Sequence, residues 1–266
     1  MATVTLKPIK VPDLRLEADN IKPDAFAGKK AAEIADLHVY CGNSQYPLGE
    51  FFEVAGEGGA TAAETEVVID GDVSRVKYIG MKMTAGSVLV KGNADMYVGA
   101  WMEGGTITVN GDTDAFAGMG MTGGEINVLG NAGNYLGAAY RGDWRGMQGG
   151  VIRVAGDAGS DIGTFMRGGE IIVNGNVDVH VGTHQEGGTI IVKGDAKSKV
   201  GGQMVEGEIY VFGDIEVMMP GFQHIGDVDV AVDGVSGRFA CYKGDMGERH
   251  PRRKGETIYG KLYLKY

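Results

Sequence analysis

The densest group of chemically distinctive side chains lies between residues 137 and 150, which read GAAYRGDWRGMQGG. The group consists of Tyr140, Arg141, Asp143, Trp144 and Arg145. Tyrosine, tryptophan and arginine are the residue types that most often anchor protein interfaces. The segment therefore predicts a contact with a partner or a ligand, and a loop without a binding role is the alternative.

Other candidate sites carry weaker signals. His180 and His184 stand four residues apart, but Gly182 separates them and no third ligand is evident, so we expect no metal site. The stretch 249–254, RHPRRK, is basic in an acidic chain and indicates either solvated surface or a docking point for an acidic partner or polyanionic substrate tail. No nucleophile elbow, phosphate-binding loop or cluster of histidines and carboxylates occurs. We therefore expect no catalytic residue and no cofactor site in this chain.

The elements that position these residues are set by a glycine repeat. Glycine accounts for 47 of 266 residues and recurs in three columns in phase, mostly 19 residues apart, with one step of 26. In one column each glycine precedes Asp or Asn: Gly71, Gly92, Gly111, Gly130, Gly156, Gly175, Gly194 and Gly213. The 26-residue step places seven extra residues between 137 and 150, so this segment should project from a regular wall. The glycines in 130–137 and 156–163 lie between strands and do not form a nucleotide fingerprint.

Between the glycines, apolar and polar residues alternate, as in 106–109 and 170–173. Alternating β-branched residues predict half-buried strands. A second short strand is expected after each Gly-Asp or Gly-Asn, with Ala94, Met96 and Val98 facing inward. Stacking such units about 4.8 Å apart predicts an all-β fold, a right-handed parallel β-helix of about seven coils. One column of long side chains should fill its third side: Met83, Met102, Met121, Met147, Met166, Gln185 and Met204.

The repeat divides the chain into three parts. Residues 66–224 carry the repeat, and residues 1–65 and 225–266 lack it. Because an open solenoid end can pair with other chains, we expect the flanking parts to cap the two ends.

Two columns of outward side chains are apolar. Tyr97, Phe116 and Tyr135 occupy equivalent positions in successive coils and should stack as an exposed aromatic ladder. Ile172, Ile191 and Tyr210 form a second strip. Each column either stabilises the stack alone or is covered by a partner protein.

Composition excludes several function classes. The net charge of −10 argues against a general nucleic-acid binder. Cys41 and Cys241 lack CxxC spacing, so this chain alone should not hold an iron–sulfur cluster or zinc ribbon. No signal peptide and no membrane span are evident, and we expect a soluble, cytoplasmic protein.

Several local motifs accompany the repeat: GNAGNYLG at 130–137, GDAGSDIG at 156–163, YRGDWRG at 140–146, NIKPDAFAG at 20–28 and LGEFFEV at 48–54. Together they resemble the C subunit of formylmethanofuran dehydrogenase over essentially the whole chain. The glycine repeat alone is also similar to the C-terminal domain of glutamate synthase.

The resemblance implies a non-catalytic scaffold subunit of an oxidoreductase complex that reduces CO2 and attaches the formyl group to methanofuran in methanogenesis. It implies partner subunits with a molybdenum or tungsten bis-pterin centre, iron–sulfur clusters, and an amidohydrolase with a dinuclear metal site. Residues 140–146 would touch the catalytic subunits. The alternatives are the related C subunit of a formyltransferase/hydrolase complex and a stand-alone β-helical polysaccharide-active enzyme.

Overall fold

The computed structural model describes residues 1–249 and 257–266, with side chains described at 1–245 and 257–266. The described ranges are mostly strand, with two short α-helices, α1 (Pro23–Phe26) and α2 (Ala31–Ala35), and 3-10 turns at Leu48–Glu50 and Ala62–Glu64. Helices in these ranges are far shorter than a membrane span requires. The strands are β1 (Ala2–Pro8), β2 (Leu16–Glu17), β3 (His38–Cys41), β4 (Ser44–Pro47), β5 (Phe52–Gly56), β6 (Thr65–Ile69), β7 (Val76–Lys77), β8 (Ser87–Val90), β9 (Thr106–Val109), β10 (Glu125–Val128), β11 (Val151–Val154), β12 (Glu170–Val173), β13 (Val177–Val179), β14 (Glu186–Val192), β15 (Ala196–Ser198), β16 (Glu206–Val211), β17 (Ile215–Val217), β18 (Gln223–Val232), β19 (Val235–Arg249) and β20 (Thr257–Lys265).

A large sheet joins most of these strands, in the order β18-β19-β20-β16-β14-β12-β11-β10-β9-β8-β6-β1-β5. From β6 to β16, and on to β20, neighbours are parallel and in register, apart from one register shift between Glu186 and Thr189 in β14. Ile107 therefore lies beside Ile126, and Val109 beside Val128. All four side chains are buried, as the alternation predicts. The methionine column and Gln185 are buried as well.

The second strand of each coil is less regular than the sequence predicts. There β13, β15 and β17 form a sheet with one another, whereas single bridges join the earlier coils at positions such as Ala94. The Asp95 carboxylate accepts a hydrogen bond from the backbone N–H of Met96, so this N–H does not take part in strand pairing. Tyr97 then adopts a φ of 68°. The prediction that Met96 faces inward is wrong, because this turn buries Asp95 and leaves Met96 half-buried in an outer cluster.

A ladder of short polar side chains runs beside the Gly-Asp and Gly-Asn turns. It comprises Asp72, Asn93, Asp112, Asn131, Asp157, Asn176, Asp195 and Asp214. Asn93 Oδ1 accepts the backbone N–H of Asp112 at 2.8 Å, and Asp112 Oδ1 accepts that of Asn131 at 2.7 Å. A Cβ on Gly111 would lie 2.2 Å from Asn93 Oδ1 and would displace this hydrogen-bonded acceptor. Charged and neutral members alternate up to Asp195.

The non-repeat segments pair with both ends of the stack. At one end β1 is parallel to β6 and antiparallel to β5, and β2, β3, β4 and β7 form a small sheet. At the other end β18 and β19 form an antiparallel hairpin beside β20. Phe239, Cys241 and Tyr263 from this end cover the second apolar strip. Ile172, Ile191 and Tyr210 are therefore buried by the chain itself.

Candidate protein-interaction surface

An aromatic ladder crosses the outside of the first coils. Tyr78, Tyr97, Phe116 and Tyr135 stack with ring centroids 4.8, 5.1 and 4.6 Å apart. Tyr78 was not predicted as a member of this ladder. The step from Gly71 to Gly92 is 21 residues instead of 19, so counting five residues from Gly71 does not reach Tyr78. Phe116 is buried, and the tyrosines are half-buried, so the ladder is less exposed than the sequence predicts.

The backbone of this ladder adopts the left-handed region. The φ values of Tyr97, Phe116 and Tyr135 are 68°, 66° and 63°. This conformation costs about 1–2 kcal/mol for a residue with a side chain, and ring stacking offsets part of that cost. Burial raises the pKa of Tyr97 above its usual value, so the phenol stays neutral. The ladder is therefore a packed, uncharged surface.

Later coils replace the rings with polar side chains. The equivalent positions hold Asp161, His180 and Lys199, and Lys199 Nζ lies 3.2 Å from His180 Nε2. The aromatic ladder is consequently confined to the coils that precede the seven-residue insertion.

The inserted loop is braced from within. Arg145 donates from Nε and Nη2 to the Asp143 carboxylate at 3.0 and 3.2 Å. Asp143 Oδ1 also accepts the backbone N–H of Trp144 at 2.8 Å. The hydrogen bonds from Arg145 hold the pKa of Asp143 below its usual value. Tyr140 and Trp144 remain 49% and 57% exposed, which presents two large rings to solvent.

The loop is also fixed to the coil wall. The Arg167 guanidinium lies 4.1 Å from the centroid of the Trp144 ring and pairs with Glu186 at 3.0 Å. Gly146 donates its N–H to the carbonyl of Phe165 at 2.9 Å. These contacts hold Trp144 in one orientation while leaving its outer face accessible.

Trp101 connects the loop to the ladder cluster. Its ring lies 6.1 Å from that of Tyr140, and it packs in the same outer cluster as Phe116. Gly120 makes room for it, because a Cβ there would lie 2.8 Å from Trp101 Cδ1. A cavity of about 240 Å³ opens between this ring and the loop. Its lining residues are Trp101, Glu103, Gly120, Thr122, Asp143, Arg145 and Gln148.

The structure thus brings the predicted ladder and the predicted loop onto one surface. We define the interaction surface as Tyr78, Tyr97, Trp101, Tyr135, Tyr140, Arg141, Asp143, Trp144 and Arg145. Sequence reasoning missed Tyr78 and Trp101. Trp101 lies two residues after Gly99, and an aromatic residue at this position could have indicated it. Most coils, however, have no aromatic residue at the equivalent position. Exposed aromatic and arginine side chains on a rigid support fit protein recognition.

The remaining candidates lie elsewhere. His184 stacks on Phe165 with ring centroids 4.7 Å apart. Within the described ranges, groups of three or more His, Cys, Asp or Glu residues that could hold a metal ion are absent. Of the basic stretch 249–254, only the backbone of Arg249, at the end of β19, lies within the described residues.

Comparison with known proteins finds relatives of this chain. No family model matches the chain. It is 54% identical over 96 residues to the C subunit of the molybdenum-containing formylmethanofuran dehydrogenase 1 of Methanosarcina barkeri, covering 36% of this chain and 32% of that protein. It is 50% identical over 96 residues to the C subunit of the tungsten-containing dehydrogenase 2 of Methanothermobacter thermautotrophicus, covering 36% of each. The resemblance to the C subunit of formylmethanofuran dehydrogenase is confirmed.

A third homologue, the C subunit of the tungsten-containing dehydrogenase 2 of Methanococcus maripaludis, is 56% identical over 131 residues, which cover 49% of this chain and 47% of that protein. The chain thus matches about a third of the length of the first two relatives and about half of the third. A solved structure matches the fold over nearly the whole chain. It is the formyltransferase/hydrolase complex (FhcABCD) from Methylorubrum extorquens in complex with methylofuran, with a TM-score of 0.86 and 25% identity. The match covers 98% of this chain and 99% of that one.

Proposed function

We propose that the chain is a non-catalytic scaffold subunit of a formylmethanofuran dehydrogenase, the complex that reduces CO2 and attaches the formyl group to methanofuran. The observation that carries the proposal is an identity of about 50% to the C subunits of molybdenum- and tungsten-containing dehydrogenases. The fold match to a chain from an assembly of several proteins supports a role within such an assembly.

The scaffold is a right-handed parallel β-helix of about seven coils over residues 66–224, capped by residues 1–65 and 225–266. Parallel, in-register pairing from β6 to β16 supports the stack. Antiparallel pairing of β1 with β5, and of β18 with β19, supports the two caps. A stack of this kind resists bending and suits a subunit that fixes the positions of others.

The interaction surface is where this chain contacts a catalytic subunit. Tyr140 and Trp144 are exposed although they are large and aromatic, and Trp144 is held in place by Arg167. A rigid aromatic anchor loses little conformational entropy on binding, which favours a stable interface.

The cofactors of the complex belong to its partner subunits in this proposal. The relatives are named for molybdenum and tungsten. In the part of the chain that the structure describes, Cys41 and Cys241 are free thiols, and clusters of three or more potential metal ligands do not occur. The side chains in this part of the chain therefore do not fit a bis-pterin metal centre, an iron–sulfur cluster or a dinuclear metal site. In this proposal the partner subunits hold all three.

The second candidate is the C subunit of a formyltransferase/hydrolase complex. The fold match over 98% of the chain favours it, because the matched structure is such a complex. This alternative shares the scaffold role and the interaction surface but lacks the redox subunits.

Native purification of the tagged chain followed by metal analysis separates the two candidates. Co-elution with molybdenum or tungsten and with iron supports the dehydrogenase. Co-elution with zinc alone supports the hydrolase. A chain that elutes alone and is active as a monomer contradicts both.

A further inference from the structure

The cavity between Trp101 and the inserted loop carries an unbalanced negative charge. Asp143 and Arg145 in its lining neutralise each other through their paired hydrogen bonds. Glu103 is exposed, and its carboxylate forms no hydrogen bond or ion pair with other described residues. The net charge of the lining is therefore that of Glu103.

An aromatic face lies in the same cavity. Trp101 is half-buried and lines the cavity; its ring packs against Gly120, and its centroid lies 6.1 Å from that of Tyr140. The indole ring is the side chain that attracts cations most strongly through its π-face. The cavity therefore combines a cation-attracting ring with an unpaired carboxylate in a space of about 240 Å³.

We propose that this cavity receives an arginine side chain of the partner subunit that docks on the interaction surface. A guanidinium stacks on an aromatic ring and offers two parallel N–H donors to a carboxylate. The inference rests on the proposed function, because the cavity is continuous with the interaction surface through the contact between Trp101 and Tyr140.

Other occupants fit the cavity less well. An apolar side chain would bury the Glu103 carboxylate without compensation, which is costly. A metal ion would find one free carboxylate, since Asp143 is engaged by Arg145. An acidic side chain would be repelled by Glu103. The cationic side chain is the occupant that neutralises the lining.

The test compares charge variants of the tagged chain in the natively purified complex. We expect Glu103→Arg to weaken retention of the chain in the complex at least tenfold and Glu103→Gln about three- to tenfold. The matched control is Glu216→Arg, which reverses an exposed glutamate in β17 and should leave retention within twofold of wild type. Thermal unfolding of each isolated variant checks that the fold is kept. A photo-cross-linker at position 103 should then label a partner peptide that contains an arginine.

Two results would overturn the inference. One is a Glu103→Arg chain that assembles as well as wild type, and the other is a cross-linked partner peptide without a cationic residue. If Tyr140→Ala and Trp144→Ala still disrupt assembly, the interaction surface stands while the arginine pocket fails. A wild-type chain that enters no complex defeats the proposed function itself.

Discussion

Replacing the side-chain amide of Asn131 with a carboxylate should destabilise the polar ladder beside the Gly-Asp and Gly-Asn turns. Its backbone N–H donates to Asp112 Oδ1 at 2.7 Å, and its own Oδ1 accepts the N–H of Asp157 at 2.9 Å. Asn131→Asp keeps the shape and the acceptor but places a third carboxylate between two others. We expect the variant to lose stability because like charges then meet in three successive coils.

The magnitude follows from the coil spacing. Two unit charges about 4.8 Å apart repel by about 0.9 kcal/mol at the dielectric constant of water. Two such pairs, together with the lost Nδ2 donor to Asp112, give a loss of about 2 kcal/mol in the free energy of unfolding. For a chain of this size that loss corresponds to a fall in Tm of about 4 °C.

Thermal unfolding at pH 7 and low salt measures the effect, and the ladder supplies its own controls. Asp112→Asn combined with Asn131→Asp leaves one like-charge pair and should recover about half of the loss. Adding Asp157→Asn leaves none and should recover nearly all of it. In about 1 M salt the Debye length falls to about 3 Å, so the single variant should approach wild type. Equal Tm values for all variants, or no response to salt, would refute the electrostatic reasoning.

Three further predictions concern the hairpin and the buried column. The hydrogen bond from Lys193 holds the pKa of Asp233 below its usual value. Asp233→Asn should therefore lower the free energy of unfolding by about 1 kcal/mol at pH 7. The difference between the two proteins should shrink once the pH falls below about 3.9, the usual pKa of an aspartate, and should vanish below the lower pKa of Asp233 in the folded state. Thermal unfolding of both proteins across that pH range measures it. Gln185→Met should leave stability within about 1 kcal/mol of wild type, because removal of the buried, unpartnered Oε1 is offset by loss of the hydrogen bonds from Nε2 to the carbonyls of Gly187 and Gly188. Met166→Gln should lower it by about 2 kcal/mol, and denaturant unfolding that ranks these two variants the other way would contradict the account of the column.

The in-register stack follows from local sequence. Ile107 and Ile126 recur 19 residues apart in alternating strands, and a repeated unit must place equivalent side chains in neighbouring coils. The same reasoning placed Met166 and the other members of its column in the interior. The periodic glycines add the turns, so most of the stack could be predicted without tertiary information.

Features that depend on distant contacts or unusual backbone geometry were not predictable. Burial of Ile191 depends on Phe239, which is far away in sequence and belongs to no repeat. A bulky residue such as Tyr97 rarely adopts positive φ, so the shape of the outer turn gave no signal. The contact of Trp144 with Arg167 also joins an insertion to a later coil. The loop was recognisable as a candidate, whereas its orientation against the wall was not.

A variant that lacks three rings of the interaction surface shows whether this surface joins the chain to its partners. Trp101→Ala, Tyr140→Ala and Trp144→Ala are combined in the tagged chain, and the mass of the natively purified species is measured beside that of wild type. We expect wild type to elute together with its partner proteins, and the triple variant, with circular dichroism matching wild type, to elute as the isolated chain. A triple variant that is fully retained in the complex would contradict the claim that this surface joins the chain to its partners.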